Sequence, residues 1–249
     1  MHIFKSVKTY LVTAALLWTS CGEAPKLVPA PESEETRIVR ALSQMNLTTT
    51  TQDSVTYRIE GKIDNALFAS ALEQLKALDA IHTLSLNFRG APFTDLPALS
   101  ELPNLQSLNL SSDDSLTSLA GFPNLSKLKT LNLSSNDNLT NLSGLPNLPG
   151  LHTLNLSSNR SLTDLSMLSN LTNLKTLDLS YNSSLKDLKN LPSISTLQTI
   201  DLSYCDAFSS LKSLPDLPGL RMLRLYNTAV TPGELDAFQK SRSGVAIDK

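Results

Sequence analysis

Side chains able to do chemistry are scarce in this chain and far apart. Its 249 residues hold three histidines and two cysteines. Cys21 and Cys205 offer thiols for nucleophilic attack, metal binding or a disulfide, and His82 and His152 offer imidazoles for base catalysis or metal ligation. Asp113 and Asp114 sit together within Ser-Ser-Asp-Asp-Ser. A calcium ion needs roughly six to eight oxygen ligands, and too few other carboxylates are near in sequence to supply them. The nine glycines form no phosphate-cradling loop. Serine is abundant, but it recurs at a fixed interval rather than beside a base.

Whether these groups meet depends on the elements that carry them. The first twenty residues stand apart. His2, Lys5 and Lys8 give a basic start, and Tyr10 to Trp18 is apolar. That run is about half of the ~20 residues a membrane-crossing helix needs. Thr19, Ser20, Cys21 and Gly22 follow. A basic start, a short apolar stretch and small residues describe a secretory signal peptide over residues 1–20. Leu17-Trp18-Thr19-Ser20-Cys21 also resembles the lipobox of bacterial lipoproteins, with Trp18 where a leucine is usual. The resemblance implies that Cys21 is lipidated and begins the mature chain. It implies export to the cell envelope and a lipid anchor on a bacterial membrane; without the lipid the chain is secreted. A lipidated Cys21 leaves no cysteine pair within the chain.

A period organises most of what remains. Leu105, Leu128, Leu151, Leu174, Leu197 and Leu220 are 23 residues apart, and Ile81 precedes the first by 24. With these as position 1, position 4 is Leu84, Leu108, Leu131, Leu154, Leu177, Ile200 and Leu223, and position 6 is leucine from Leu86 to Leu225. Position 9 is Asn136, Asn159 and Asn182, replaced by Asp113, Cys205 and Thr228 in outer repeats. Apolar residues continue every third place, as at Leu139, Leu142, Leu145 and Leu148. This L-x-x-L-x-L-x-x-N pattern, over roughly residues 55–230, resembles the leucine-rich-repeat family. Bacterial members such as the internalins place an apolar residue two after the asparagine. Asn136-Asp137-Asn138-Leu139 places it three after, so this is a 23-residue variant.

The spacings have physical meanings. Positions 4 and 6 lie two apart and point to one side of a strand, while 3, 5 and 7 point to the other. Each repeat therefore contributes one short strand to a parallel sheet. Spacing by three suits a chain that turns repeatedly while sending one residue per turn inward. Pro123, Pro146, Pro149, Pro192, Pro215 and Pro218 fall there, and proline disfavours helix interiors. The expected fold is an α/β-type repeat solenoid, a leucine-rich-repeat horseshoe or arc. Short parallel strands line its concave face and extended or 3-10 segments its convex face. At position 9 the chain turns sharply, and an asparagine amide can satisfy inward-pointing backbone groups. Asp113, Asn136, Asn159, Asn182 and Cys205 form the expected structural ladder. The resemblance supports a buried Cys205, since cysteine often replaces asparagine there.

The array needs caps at both ends. Residues 21–32 read as a flexible tether and 33–80 as an N-terminal cap. The cap is expected to hold a helix from Glu34 to Met45, a polar connection from Thr48 to Gln52, an alternating strand through Val55, Tyr57 and Ile59, and a helix from Leu67 to Leu78. The repeats occupy 81–230. Residues 231–249 form a C-terminal cap and tail: Thr231-Pro232 reads as a helix start, Leu235 and Phe238 close the core, and the chain after Ser241 is expected to be loose.

This geometry disposes of the dispersed candidates. His82 and His152 share position 2 three repeats apart, hence ~14 Å at ~4.8 Å per strand, too far for a shared metal with bonds of ~2 Å. No catalytic residue, metal or cofactor is assigned, and the chain reads as a non-enzyme. Lysine plus arginine (21) does not exceed aspartate plus glutamate (23), which argues against nucleic acid. Asn-x-Ser/Thr triplets such as Asn132-Leu133-Ser134 follow from the repeat, and in a bacterial lipoprotein would carry no glycan.

A rigid outward sheet face is the natural place for a partner. Its centre is a small polar lattice of Thr, Asn and Ser, a pairing that itself stabilises sheets. The C-terminal third departs from it with Asp178, Tyr181, Asp201, Tyr204, Met222, Arg224 and Tyr226. Tyrosine and arginine dominate binding hot spots, so these residues are the candidate partner site; equally, the tyrosines pack on one another and Arg224 neutralises Asp201. The first expectation is a cell-envelope protein-interaction module. The second is a structural envelope protein whose polar face meets cell-wall glycan or another copy. An enzyme with an unrecognised site is third.

Overall fold

A computed structural model describes residues 32–45, 48–51, 56–60, 65–76, 83–87, 96–113 and 115–249. The chain divides into two units, Met1–Glu32 and Ser33–Lys249. Only Glu32 of the first is described. The expected signal peptide and most of the tether, with Cys21, therefore lie outside the described residues, as do His82 and Asp114.

The second unit opens with helix α1 (Glu34–Gln44), strands β1 (Thr48–Thr51) and β2 (Thr56–Glu60), and helix α2 (Asn65–Lys76). Ser33 caps α1 by accepting the Thr36 N–H on its hydroxyl at 3.2 Å. The helix buries Ile38 and Leu42 in the same core as Phe68, Ala71, Leu72 and Leu75 of α2. The segment read as a polar connection is instead β1, antiparallel to β2 from Thr48 opposite Glu60 to Thr51 opposite Tyr57. Four consecutive threonines carry no turn residue, and threonine is β-branched and favours strands.

Seven parallel strands follow, one per repeat: β3 (Thr83–Asn87), β4 (Ser107–Asn109), β5 (Thr130–Asn132), β6 (Thr153–Asn155), β7 (Thr176–Asp178), β8 (Thr199–Asp201) and β9 (Met222–Arg224). Their register repeats without a slip, for example Leu131 opposite Leu154 and Leu154 opposite Leu177. In β4 to β8 the middle residue is buried and its neighbours half-buried, the alternation of a one-faced sheet.

The return side explains the spacing of three. The N–H of an inward leucine donates to the carbonyl three residues back, as Leu139 to Asn136 at 2.9 Å, Leu145 to Leu142 at 3.0 Å and Leu151 to Leu148 at 2.9 Å. These are single 3-10 turns. They lengthen into 3-10 helices only at Leu96–Glu101 and Ser166–Asn170 among the described residues. Gly144 lies in such a corner at φ +91°, and a Cβ there would come within 2.5 Å of the Leu119 backbone, so no other residue fits without displacing the coil beneath.

Helix α3 (Pro232–Ser241) closes the far end, with the Thr231 hydroxyl accepting the Glu234 N–H at 3.3 Å. Phe238 is buried and Leu235 partly so. The tail is not loose. Strand β10 (Ala246–Asp248) pairs parallel to β9, placing Ile247 opposite Leu223. The Leu225 N–H donates to the Asp248 carbonyl at 2.8 Å, so the last strand of the array is paired rather than open.

Candidate interaction face

Beneath the face runs an amide ladder. The Asn159 Nδ2 donates to the carbonyls of Leu156 in its own repeat, at 2.8 Å, and Leu133 in the one before, at 3.0 Å. Its Oδ1 accepts the Asn136 backbone N–H at 2.8 Å. Asn136 bonds in the same way to Leu133, Leu110 and Asp113, and Asn182 to Leu179, Leu156 and Asn159. All three side chains are fully buried.

The ends of the ladder differ because their chemistry does. Asp113 has no side-chain N–H to give; its carboxylate accepts from the Ser115 N–H and hydroxyl. The Cys205 thiol donates to the Leu179 carbonyl at 3.1 Å and accepts the Asn182 N–H. Burial pushes its pKa up to about 12, opposed by that Asn182 N–H, with the charges of Asp201, Asp206 and Asp178 raising it further. A thiol so held is not a nucleophile at neutral pH. Thr228 donates to Leu225 in its own repeat at 2.9 Å.

The outward lattice is more tied down than its polarity suggests. At position 5 the side-chain oxygens of Asn109, Asn132, Asn155, Asp178 and Asp201 each accept the N–H two residues on, at 2.8–3.0 Å. These turns cap the short strands. An asparagine and an aspartate do this equally well, because only an oxygen is used. Asp178 and Asp201 therefore keep the structural bond and add a charge.

Position 8 is left-handed in each repeat from the second on. Ser112, Ser135, Ser158, Tyr181, Tyr204 and Asn227 have φ between 53° and 63°. This region is uncommon for residues with a side chain and is least suited to bulky ones. Two tyrosines nevertheless occupy it. Tyr181 and Tyr204 stack with ring centroids 4.5 Å apart and planes 5° from parallel, and Tyr226 meets Tyr204 edge-on at 5.3 Å. Tyr181 is 51% exposed and Tyr226 54%. Desolvation within the row, then the neighbouring Tyr181 and Tyr226, raises the Tyr204 hydroxyl above the ordinary tyrosine value.

The remaining candidates join this end. Asp178, Asp201 and Arg224 are register partners on β7, β8 and β9. Arg224 Nη1 lies 3.4 Å from Asp201 Oδ2, and its Nε lies 3.8 Å from Asp248 Oδ2. The guanidinium is thus held between two acids, the second on a strand not expected from sequence. Met222 is half-buried beside them. Asp206 accepts from Asn227 Nδ2 at 3.4 Å. Sequence reading missed Asp206 and Asp248. Asp206 stands next to Cys205 at the turn, and the signal for Asp248 was the Val245-Ala246-Ile247 run after Ser243-Gly244.

Of the dispersed groups, His152 Nδ1 lies 2.5 Å from the Gly150 carbonyl, and the residue lines a surface depression with Lys127 and Lys129. Among the described residues, no group of three or more His, Cys, Asp or Glu side chains is gathered to hold a metal ion. No helix among them is long and apolar enough to cross a membrane.

Comparison with known proteins follows the same lines. A family model described as leucine rich repeats (2 copies) matches residues 149–193, which include β6 and β7. Comparison with curated proteins gives no match. Among solved structures, an internalin from Listeria monocytogenes is similar at 25% identity and a TM-score of 0.53, over 81% of this chain and 58% of that one. The LRIM1/APL1C complex is similar at 18% identity and a TM-score of 0.51, over 73% of this chain and 41% of the other. The TLR13–ssRNA13 complex is similar at 18% identity and a TM-score of 0.53, over 88% and 33%. The chain spans less than two thirds of the length of each, and the two more distant likenesses speak for the fold alone. The matched stretch spans about two of the 23-residue coils described here, and the fold is that of a leucine-rich-repeat solenoid.

Proposed function

We propose that this protein is an exported, non-enzymatic envelope lipoprotein of a bacterium, anchored through Cys21, whose concave sheet captures a protein partner at its C-terminal end. The observation that carries the capture is the Tyr181–Tyr204–Tyr226 row. Serine fills position 8 in the three preceding repeats with the same left-handed backbone, so the fold does not require tyrosine. Two bulky residues are held in a disfavoured conformation, with much of the row open to solvent. Strain kept where a smaller residue suffices is a mark of function. Solenoids present extended concave surfaces to partners, and exposed tyrosine beside arginine is the usual chemistry of a hot spot. Export and anchoring rest on the basic start, short apolar run and Cys21 of residues 1–21.

Capture from envelope extract tests the reading. Wild type is expected to retain a discrete protein that the folded Tyr204→Ala/Arg224→Ala/Tyr226→Ala variant loses. Undiminished capture by the variant removes the site, and retention of cell-wall polysaccharide in place of protein favours a structural role. Fatty-acid labelling that disappears in Cys21→Ala is expected of the anchor; label surviving the substitution overturns it.

A further inference from the structure

Two carboxylates at this end of the sheet have neutral hydrogen-bond partners. Arg224 is already matched by Asp201 and Asp248. Asp178 is hydrogen-bonded by the Ser180 N–H at 2.9 Å and hydroxyl at 2.7 Å, both neutral donors. Asp206 is hydrogen-bonded by the neutral Asn227 amide at 3.4 Å. Neither carboxylate has a cation within ion-pair distance among the described residues. An exposed aromatic face in the same repeat as a carboxylate without a cation partner, as Tyr181 and Asp178 are, can attract a cationic side chain through the ring quadrupole and the charge together.

The stack also has a free end. Tyr204 covers one face of Tyr181. On the other side the equivalent position in the preceding repeat is Ser158, too small to cover a ring, and Tyr181 is 51% exposed. A planar guanidinium laid on that face continues the stack in a way an ammonium cannot. Resting on the reading that the tyrosine row is a binding surface, we infer that its partner is a basic polypeptide segment, with an arginine placed on the open face of Tyr181 and its charge met by Asp178 in the same repeat.

Asparagine is the native residue at position 5 in three other repeats and makes the same bond to the N–H two residues on. Asp178→Asn therefore removes charge without removing the cap. The probes are three ten-residue peptides of alternating Ser with Arg, Lys or Glu, titrated into the full-length chain labelled with 3-fluorotyrosine. Of the five tyrosines, only Tyr181, Tyr204 and Tyr226 belong to the row. The Arg peptide is expected to shift these three fluorine resonances and leave the Tyr57 signal in place. It is expected to bind several-fold more tightly than the Lys peptide and to weaken as salt rises. Asp178→Asn is expected to weaken it several-fold. Equal binding of the Glu peptide, or full affinity in Asp178→Asn, overturns the basic-partner inference while leaving the tyrosine surface intact. Shifts of the row with a cell-wall glycan fragment but no peptide replace the basic partner by a sugar. Concentration-dependent shifts without any ligand replace it by a second copy. If no probe moves the row and Tyr204→Ala/Arg224→Ala/Tyr226→Ala still captures envelope partner, the underlying binding surface falls as well.

Discussion

Asn136 and Asn159 stand 23 residues apart in the chain and one hydrogen bond apart in space: the Asn159 amide oxygen accepts the Asn136 backbone N–H at 2.8 Å. The same amide donates to two leucine carbonyls in different repeats. One side chain thus closes its own turn and ties it to the one before, entirely out of water. Asn159→Ala leaves one N–H and two carbonyls buried without this partner. The expected loss is about 3 kcal/mol or more, since each unsatisfied buried group costs ~1–3 kcal/mol. Urea denaturation measures it, and a loss below about 1 kcal/mol shows the groups are satisfied otherwise.

The left-handed turn before that ladder gives a stability test with two signs. Ser158 holds φ 58°. Ser158→Asn, which tolerates this region, is expected to stabilise by a few tenths of a kcal/mol, and Ser158→Val to destabilise by about 1–2 kcal/mol. Equal melting temperatures for the two variants exclude backbone strain as the determinant.

Tyrosine at the same position is expected to be dispensable for folding. Tyr181→Ser with Tyr204→Ser restores the residue of earlier repeats and relieves left-handed strain, while losing a stacking contact of ~0.5–1.5 kcal/mol. The two effects oppose each other, so stability is expected to stay within about 1 kcal/mol of wild type. A loss well beyond that assigns the row to structure rather than to recognition.

Cys205 is expected to make the protein alkali-sensitive. Its folded pKa of about 12 lies above the ordinary thiol value of 9.0. At a pH between the two, the unfolded chain releases the thiol proton and the folded chain retains it. Stability from this group is complete below about 9 and is lost as pH rises toward 12. Against Cys205→Ala, the wild-type stability curve is expected to fall more steeply through that window. In Cys21→Ala protein, iodoacetamide at pH 8 is expected to label Cys205 only after denaturation; rapid labelling of the native protein contradicts the buried thiol.

The C-terminal strand gives a fifth test. Truncation after Gly244 removes the Leu225-to-Asp248 and Ala246-to-Arg221 hydrogen bonds and the Lys249 contact with the Val230 carbonyl at 2.7 Å. A loss of about 2 kcal/mol is expected, with self-association as β9 becomes an open edge. A monomer of unchanged stability means the tail does not pair.

The period, the inward leucines and the parallel register were legible in the sequence because they are local and repeated. A residue that points inward once points inward in every coil, so seven weak signals combine into one strong one. The position-9 ladder was legible for the same reason. At position 5 the polarity was legible but not its use, since only a folded turn brings each oxygen to the N–H two residues on. The tertiary structure alone decided what happens where the repeat stops. It set Asp248 against Arg224, turned the four threonines into a strand, and gave Asp178 and Asp206 neutral hydrogen-bond partners. Periodicity constrains what each coil shares with its neighbours, whereas an end is defined by groups that have no next coil and must take whichever segment can reach them.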